Sequence, residues 1–361
     1  MKIVFILKTI EQQRCIKRIQ AFIDRGYEVE VYGFNRKQTV KQQYNFEIKS
    51  LGVIVDGLSY AKRTKEYLKA REVVKRYKRD KSVLFYLFGI DLALPLIVSG
   101  AKRYIYEESD LIHTKFSSRM VVKLFERIDK RIIKRSKVSV LTSEGFIKYH
   151  YGEKPVPENI CVLPNKLNPQ CKDLVPIEKM LDYEHLKVGF VGFFRYESVY
   201  NFLAVTAKQF PMIQVKLFGA NSGWSEQQMQ ELFALPNVSN EGPFKNPVEL
   251  PTVYSQIDIV VSTYDIDDDN PRYAEPNKIY ESIYFDTPII VTSNTFLADK
   301  VEKLGIGFHV NAKNDEDIVD FWRGLSKKIL EDKIVVCRKI DKNYCIDDEI
   351  ELFKKINQIE K

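Results

Sequence analysis

The chain has 361 residues, of which 45% are hydrophobic and 29% are charged, and its formal net charge is +7. This length exceeds one compact core and predicts two domains of roughly 150–180 residues each. No apolar run reaches the roughly 18–20 residues that a membrane span requires, which excludes an ordinary transmembrane protein. The five cysteines are odd in number and lack Cys-x-x-Cys spacing. They indicate reduced thiols in a cytoplasmic protein, with neither a disulfide framework nor a zinc site.

The charge is unevenly distributed along the chain. Residues 1–175 contain 35 Lys+Arg and 19 Asp+Glu, so the remainder is acidic overall. The two halves therefore meet different partners. A basic half suits anionic lipid or nucleic acid, and it is equally consistent with a solvated cationic surface.

The first half alternates short apolar runs with longer helical patterns, which is typical of parallel sheets built from βαβ units. A helix is predicted over Gln12–Arg25, because Gly26 is suited to end it. Strands are predicted at Lys2–Leu7, Glu28–Tyr32, Val83–Leu87, Arg103–Glu107 and Lys137–Thr142.

Two helices in this half are predicted to be basic and amphipathic. Tyr60–Tyr77 and Ser118–Arg135 each carry an apolar stripe at helical spacing, with lysines and arginines on the remaining faces. Such helices gain about 1 kcal/mol per cation near anionic lipid. They therefore favour peripheral contact with the inner face of a membrane, although a solvated cationic face explains the same pattern.

A proline-punctuated connector, Lys154–Ile177, separates the halves, and a second alternation follows it. We expect a first Rossmann-like domain at residues 1–170, a second at 171–335, and a C-terminal helix within 336–361 that packs back on the first domain. The fold class is thus α/β, with two doubly wound parallel sheets facing a central cleft. Open α/β sheets bind ligands at the carboxyl ends of their strands. Elements of the second half are predicted at Leu186–Phe193, Ser198–Gln209, Ile213–Phe218, Ser225–Leu235, Leu250–Gln256, Ile257–Ser262, Asn277–Phe285 and Pro288–Thr292.

The segment Ala274–Ser282 is the most informative part of the sequence. Pro276 suits the first turn of a helix, and Asn277, Lys278 and Glu281 follow three to four residues apart on one face. A helix N-terminus and an ammonium attract phosphate, whereas a carboxylate accepts hydrogen bonds from a ribose diol. This combination indicates a nucleotide-sugar ligand.

Taken in order, the second half resembles glycosyltransferases of the B-type, two-Rossmann-domain architecture, specifically retaining family-four enzymes of bacterial polysaccharide assembly. The resemblance is good over most of residues 160–300, and residues 1–150 match only in topology. The matching landmarks are Val162-Leu-Pro-Asn165, Val188-Gly-Phe-Val-Gly-Phe-Phe-Arg195, Val215-Lys-Leu-Phe-Gly219, Gly242-Pro-Phe244 and Pro276-Asn-Lys-x-x-Glu281 followed by Thr287-Pro288.

The resemblance implies a donor site built from the second domain. Gly192 and Arg195 would meet the diphosphate, Gly219 would lie near the base, and Glu281 would accept from the ribose. The family usually has a second glutamate eight residues before this one, where Tyr273 stands here. The expected donor-binding residues are Gly192, Arg195, Gly219, Glu275, Asn277, Lys278 and Glu281.

Three of these residues also have a plainer explanation. Glu281 would be a solvated helix residue, Arg195 a strand cap, and Lys278 a surface ion-pair partner. The functional interpretation of Glu281 and Arg195 is favoured because the neighbouring motif matches. Arg195 and Lys278 would neutralise the diphosphate as it leaves, so no metal or other cofactor is required.

The acidic run Asp265–Asn270 resembles the Asp-x-Asp manganese site of the other glycosyltransferase architecture. That site normally follows a strand in a single-domain N-terminal sheet, whereas this run precedes the donor helix. Clusters of Asp and Asn favour turns, so we interpret it as a solvated loop.

A polar segment after the strand at Arg103–Glu107 supplies the candidate catalytic residues Glu107, Glu108 and His113, together with Asp110. In relatives such a cluster approaches the acceptor, and here it would bind or deprotonate the acceptor hydroxyl. A polar loop with capping duties is the alternative. His150, His185 and His309 are isolated in sequence and are expected to be structural or exposed.

The predicted function is transfer of a sugar from a nucleotide diphosphate sugar to a lipid-linked or glycan acceptor at the cytoplasmic membrane face. It is a hexosyltransferase-like activity in cell-surface polysaccharide assembly, with UDP favoured over GDP. The sequence leaves retention or inversion open. A nucleotide-sugar epimerase on the same scaffold and a non-enzymatic nucleic-acid-binding protein using the basic half are the alternatives; no recognised nucleic-acid-binding module accompanies that half.

Overall fold

The computed structural model describes residues 1–36, 44–54 and 60–360. The chain divides into two compact units. The first comprises Met1–Pro164 together with the chain from Glu349 onward, and the second comprises Asn165–Asp348. The sequence analysis placed the division at residues 170/171, inside the same proline-rich connector.

The first unit is built on a parallel sheet of seven strands. From edge to edge the order is third, second, first, fourth, fifth, sixth and seventh strand. The inner strands are buried on both faces, which explains their continuous apolar sequences. The strands are β1 (Lys2–Leu7), β2 (Glu28–Asn35), β3 (Ile48–Val53), β4 (Val83–Phe88), β5 (Tyr104–Glu108), β6 (Val138–Leu141) and β7 (Ile160–Val162).

Helices connect these strands. The predicted single helix over Tyr60–Tyr77 is interrupted by a 3₁₀ turn at Leu68–Ala70. Tyr67, Ala70 and Val73 are all buried at intervals of three, and a three-residue turn brings such positions to one side. The helices are α1 (Gln13–Asp24), α2 (Tyr60–Tyr67), α3 (Arg71–Tyr77), α4 (Ile90–Val98), α5 (Arg119–Arg135) and α6 (Glu144–Tyr151).

The second unit has a parallel sheet of six strands. The strands are β8 (Lys187–Phe194), β9 (Gln214–Asn221), β10 (Val238–Gly242), β11 (Ile259–Ser262), β12 (Ile289–Thr292) and β13 (Gly307–Val310). Their order is β10-β9-β8-β11-β12-β13. The chain moves outward from β8 in one direction and then resumes beside it at β11. The carboxyl ends of β8 and β11 therefore mark the switch point, where sheets of this type form a crevice.

Eight helices of the described chain connect or follow these strands. Several begin with a side-chain cap, as where Ser225 and Gln228 form a capping box. The helices are α7 (Glu197–Gln209), α8 (Glu226–Phe233), α9 (Leu250–Ser255), α10 (Asp269–Tyr273), α11 (Lys278–Tyr284), α12 (Phe296–Leu304), α13 (Asp315–Gly324) and α14 (Lys327–Lys339).

The last helix, α15 (Ile350–Glu360), belongs to the first unit. Its buried Leu352, Phe353 and Ile356 join the same core as the residues of β1 and α1. The rings of Phe22 and Phe353 lie 4.8 Å apart between centroids. Residues 336–348, which the sequence analysis grouped with this helix, lie in the second unit.

The predicted fold class is confirmed for each unit. Both are α/β units with wholly parallel sheets and Rossmann-like strand order. None of the helices in the described ranges combines the length and apolarity needed to cross a membrane.

Candidate functional site

A cavity of about 410 Å³ opens at the switch point of the second sheet. Its walls come from the carboxyl ends of β8 and β9, from the loops after β10 and β11, and from the residues that begin α11. Two cationic side chains line it, and no carboxylate does among the lining residues of the described chain. The lining residues are Phe190, Val191, Gly192, Phe193, Arg195, Tyr196, Gly219, Ala220, Pro243, Phe244, Asn246, Tyr264, Asn277 and Lys278.

Two glycines form the floor of this cavity. Gly192 and Gly219 are partners in the β8–β9 ladder, with φ values of +149° and +144°. A Cβ atom on Gly219 would lie 1.9 Å from the carbonyl oxygen of Gly192. Only glycine fits this backbone conformation and this approach. The two strand ends therefore offer bare backbone to a ligand.

Arg195 and Lys278 bring positive charge to the cavity. Arg195 is exposed, and its guanidinium lies 4.6 Å from the centroid of the Tyr196 ring. It also donates a 2.6 Å hydrogen bond to the hydroxyl of Tyr196. The Lys278 side chain is mostly buried, and its Nζ lies 2.7 Å from the Glu281 carboxylate. Lys278 is thus anchored by a carboxylate, whereas Arg195 lies over an aromatic ring.

Glu281 lies behind the cavity wall and is fully buried. Its Oε1 accepts from Asn277 at 2.6 Å, and its Oε2 accepts from Lys278 and Tyr254 at 2.7 Å each. Burial and the neighbouring carboxylate raise the pKa of Tyr254 well above its ordinary value. Glu281 therefore holds the two residues that reach the cavity.

Glu275 is hydrogen-bonded to residues that do not line the cavity. Its side chain is buried and accepts from Lys300 at 2.6 Å and from the hydroxyl of Tyr280. The cavity thus brings together five of the seven predicted donor-binding residues, with Glu281 in direct contact with two of them. Glu275 is paired elsewhere, and a donor contact by this residue stays a prediction.

The sequence analysis did not assign the aromatic part of the wall. Phe193 is 64% exposed at the end of β8, and Phe244 and Tyr264 follow β10 and β11. Burial raises the pKa of Tyr264 to about 12, so its hydroxyl stays protonated at neutral pH. The available signals were an aromatic residue at or just beyond the end of two predicted strands, Phe193 and Tyr264, and the Gly242-Pro-Phe244 landmark.

The acidic run before α10 has a local structural role. The carboxylate of Asp265 accepts from the backbone N–H groups of Glu197 and Ser198 at 3.0 and 2.9 Å. It therefore caps the start of α7. Asp267 pairs with Lys313 at 2.7 Å.

In the first unit, Glu107 is fully buried at the end of β5. Arg18 donates to it at 3.2 Å and Tyr86 at 2.5 Å, and Arg14 lies 3.5 Å away. Arg18 also pairs with Glu349 at 3.0 Å. The carboxylate is held in an internal network of cations and hydroxyls.

Glu108 and His113 are buried beside Asp129, which was not predicted to belong to a site, and beside His150, which was expected to be structural or exposed. His150 Nε2 lies 2.8 Å from Glu108 Oε2, and His113 Nδ1 lies 3.5 Å from Asp129 Oδ2. Burial raises the pKa of Glu108 to about 7, and it lowers the pKa values of both histidines. The acceptor role predicted for Glu107, Glu108 and His113 stays a prediction.

No protein-family model matches the sequence, and no curated protein matches it. Solved structures do match in fold. Sucrose-phosphate synthase from Thermosynechococcus elongatus is 15% identical with a TM-score of 0.70, over 100% of this chain and 98% of that one. WaaG, a glycosyltransferase involved in lipopolysaccharide biosynthesis, is 14% identical with a TM-score of 0.68, over 99% of each chain. HepE from Anabaena, in complex with UDP and glucose, is 13% identical with a TM-score of 0.66, over 100% of this chain and 98% of that one.

At these identities the likeness is one of fold, and a fold does not by itself fix a reaction. A UDP-GlcNAc 2-epimerase from Neisseria meningitidis matches as well. The narrower resemblance to family-four enzymes stays a prediction. The chain has the GT-B fold, the two-domain Rossmann-like fold of the B-type glycosyltransferases. This is shown by its two parallel-sheet units, by the order of their strands and by the structural matches over the whole chain.

Proposed function

We propose that this protein is a glycosyltransferase that moves a sugar from a nucleotide diphosphate sugar to a lipid-linked or glycan acceptor in cell-surface polysaccharide assembly. The observation that carries the proposal is the cavity at the switch point of the second sheet. It combines two cations, bare glycine backbone and an aromatic wall in one crevice. The donor is a UDP-sugar in preference to a GDP-sugar.

The cations match the charge that the reaction develops. When the sugar–phosphate bond breaks, negative charge accumulates on the departing diphosphate. Arg195 and Lys278 line the cavity and stabilise that charge without a metal ion, because positioned cations act most strongly where charge develops. The planar guanidinium of Arg195 is suited to two phosphate oxygens at once, and Lys278 supplies a point charge.

The remaining walls suit the rest of a nucleotide. Gly192 and Gly219 line the cavity without side chains, so phosphate oxygens can approach the backbone there closely. Pro243 and Phe244 form an apolar surface on the β10 side of the cavity, where a uracil ring stacks.

Glu281 acts in this proposal through its neighbours. The sequence analysis assigned it to the ribose hydroxyls, but its oxygens are buried and accept three hydrogen bonds. Its proposed role is therefore to orient Asn277 and Lys278 toward the ligand. It is a positioning residue.

Helix α5 supports a membrane location for the acceptor. Met120 and Leu124 are 82% and 53% exposed, one helical turn apart. Exposed cations flank them at Arg119, Lys123 and Arg127. Apolar side chains surrounded by cations are typical of helices that lie on an anionic membrane surface. We propose that α5 holds the enzyme against the inner face of the cell membrane.

The decisive assay incubates the purified chain with UDP- and GDP-sugars, first alone and then with membrane lipid extract as acceptor. A glycosyltransferase releases nucleoside diphosphate slowly alone and much faster with acceptor, and the sugar enters the lipid fraction. An epimerase interconverts the sugars of the donor without any acceptor. The absence of both turnover and thermal stabilisation with every nucleotide-sugar tested would contradict the proposal, since a ligand that binds only the native state raises its melting temperature.

Binding to random-sequence DNA tests the alternative that the chain is a nucleic-acid-binding protein. A nucleic-acid-binding protein using the basic half loses affinity steeply as salt rises, whereas our proposal predicts no appreciable binding near physiological salt.

A further inference from the structure

Three side chains from separate elements of the first unit meet in its interior. Glu108 ends β5, Asp129 lies in α5 and His150 lies in α6. One ligand atom from each lies within 4.8 Å of the other two, and all three residues are buried. His113 adjoins them, with Nδ1 3.5 Å from Asp129 Oδ2.

The hydrogen bonds of this cluster leave electron pairs unused. Tyr106 donates to Asp129 Oδ1 at 2.6 Å, and Glu108 Oε2 faces His150 at 2.8 Å. Glu108 Oε1, Asp129 Oδ2 and His113 Nδ1 are buried and have no hydrogen-bond partner of ordinary geometry among the described residues, and Glu108 and Asp129 can pair with each other only through a shared proton. Buried carboxylates are stable only when they are paired, protonated or bound to a metal.

We propose that Glu108, Asp129 and His150 form a binding site for a divalent transition-metal ion, with zinc the best match and His113 as the fourth ligand. Two carboxylate oxygens and two imidazole nitrogens form a donor set that zinc accepts in tetrahedral geometry at about 2.0–2.2 Å. Glu108, Asp129 and His150 each offer a ligand atom within 4.8 Å of the other two, so these three can contract onto one ion, and His113 approaches from the side of Asp129. This site is distinct from the nucleotide cavity, and in it Glu108 and His113 act as ligands of the ion and not in the acceptor role predicted for them.

The orientation of His113 agrees with this role. Its Nε2 lies 3.2 Å from the hydroxyl of Tyr149, so the ring is fixed and Nδ1 points toward Asp129. Metal-binding histidines usually have their second nitrogen held in this way.

The consequence is structural. All four side chains are completely or almost completely buried, so the site is closed and has no open position for substrate. An ion there ties the end of β5 to α5 and α6. It also offsets the repulsion between two carboxylates in the interior. Loading occurs as the unit folds, because metal binding to such a site is coupled to folding.

The test measures metal in tag-free, full-length protein. The chain is refolded with one equivalent of Zn²⁺ or Co²⁺, dialysed, and analysed by mass spectrometry for metal content. We expect close to one ion per chain, a higher melting temperature than after refolding with EDTA, and the visible absorption of four-coordinate Co²⁺. His150→Gln and Asp129→Asn should lose the ion, whereas His185→Gln, which changes an exposed histidine paired with Asp182, should keep it.

Wild-type protein that retains well under one ion and melts at the same temperature with and without metal would overturn the proposal. Equal metal content in wild type and His150→Gln would overturn it as well. If the cluster variants do not fold, the metal stoichiometry and Co²⁺ spectrum of the wild type decide alone.

Discussion

Lys278 Nζ lies 2.7 Å from Oε2 of Glu281, so a lysine that lines the cavity of the second unit is anchored by a carboxylate in the interior. The same carboxylate binds Asn277, the residue before Lys278, at 2.6 Å. The pair therefore couples a buried charge to the position of a cation that lines the cavity.

Glu281→Gln should weaken UDP binding by about tenfold, since hydrogen bonds to a charged group contribute roughly 1.5–3 kcal/mol and 1.4 kcal/mol is tenfold in affinity. The variant preserves side-chain size but removes the charge that orients Lys278. Isothermal titration with UDP measures the effect, and Glu302→Gln, an exposed glutamate of α12, is the control. Unchanged affinity would show that Glu281 does not position Lys278 and Asn277 for binding.

Glu281→Ala should also lower the free energy of unfolding by about 1–3 kcal/mol, because it leaves the buried hydroxyl of Tyr254 without its acceptor.

Arg195→Ala and Lys278→Ala should each reduce affinity for UDP by roughly tenfold or more, as expected for loss of a charged hydrogen bond. Neither should change affinity for uridine, which lacks the diphosphate. Lys328→Ala, an exposed lysine of α14, should bind both ligands as the wild type does. Equal losses for uridine and UDP would mean that the cations do not contact phosphate.

Gly219→Ala should distort the paired ends of β8 and β9 that line the cavity. The new Cβ would overlap the carbonyl oxygen of Gly192, and φ of +144° is strained for any other residue. We expect a loss of stability of about 1–3 kcal/mol by chemical denaturation, together with loss of UDP binding. Gly324→Ala, where a Cβ meets nothing within 4 Å, should be neutral or slightly stabilising. Full UDP affinity in Gly219→Ala would contradict the assigned approach of the ligand.

The buried amine of Lys179 should make the stability of the folded protein depend on pH. Its amine donates to the carbonyl of Tyr254 at 3.0 Å, to that of Ile257, and to Thr287 Oγ1 at 2.7 Å. Burial lowers the pKa of Lys179 to about 8, whereas in the unfolded chain it is about 10.4. Between these values the unfolded state holds a proton that the folded state has lost, so the free energy of unfolding rises with pH.

The free energy of unfolding of the wild type relative to Lys179→Met should therefore increase from about pH 8 to about pH 10 and stay constant below about pH 7. Urea denaturation of both proteins across this range measures it. A difference that does not vary with pH would show that the amine keeps its ordinary pKa.

Met120→Ser combined with Leu124→Ser should lower recovery of the protein with anionic vesicles in flotation experiments. Both side chains are exposed on a helix rich in cations. Met212→Ser, which changes an exposed methionine of the second unit, is the control. If wild type floats equally with neutral and anionic vesicles, α5 does not contact the membrane through its charge.

Local patterns predicted much of this architecture. The strand at Lys2–Leu7 and the end of α1 before Gly26 follow from short-range preferences, namely a continuous apolar run and a glycine with positive φ. The proximity of Asn277 and Glu281 also follows from helical spacing.

Contacts between distant parts of the chain could not be predicted in this way. The burial of Glu281 depends on Tyr254, which packs against it from another helix. His150 looked isolated in sequence, but the packing of α6 against the end of β5 places it beside Glu108. Such pairings depend on tertiary packing, which neither periodicity nor spacing encodes.

A crystal structure with UDP tests the central claim most directly. The account predicts the diphosphate in the cavity at the ends of β8 and β9, within hydrogen-bonding distance of Arg195 and Lys278, with the uracil ring against Pro243 and Phe244. UDP bound outside this cavity, or no bound UDP at saturating concentration, would contradict it.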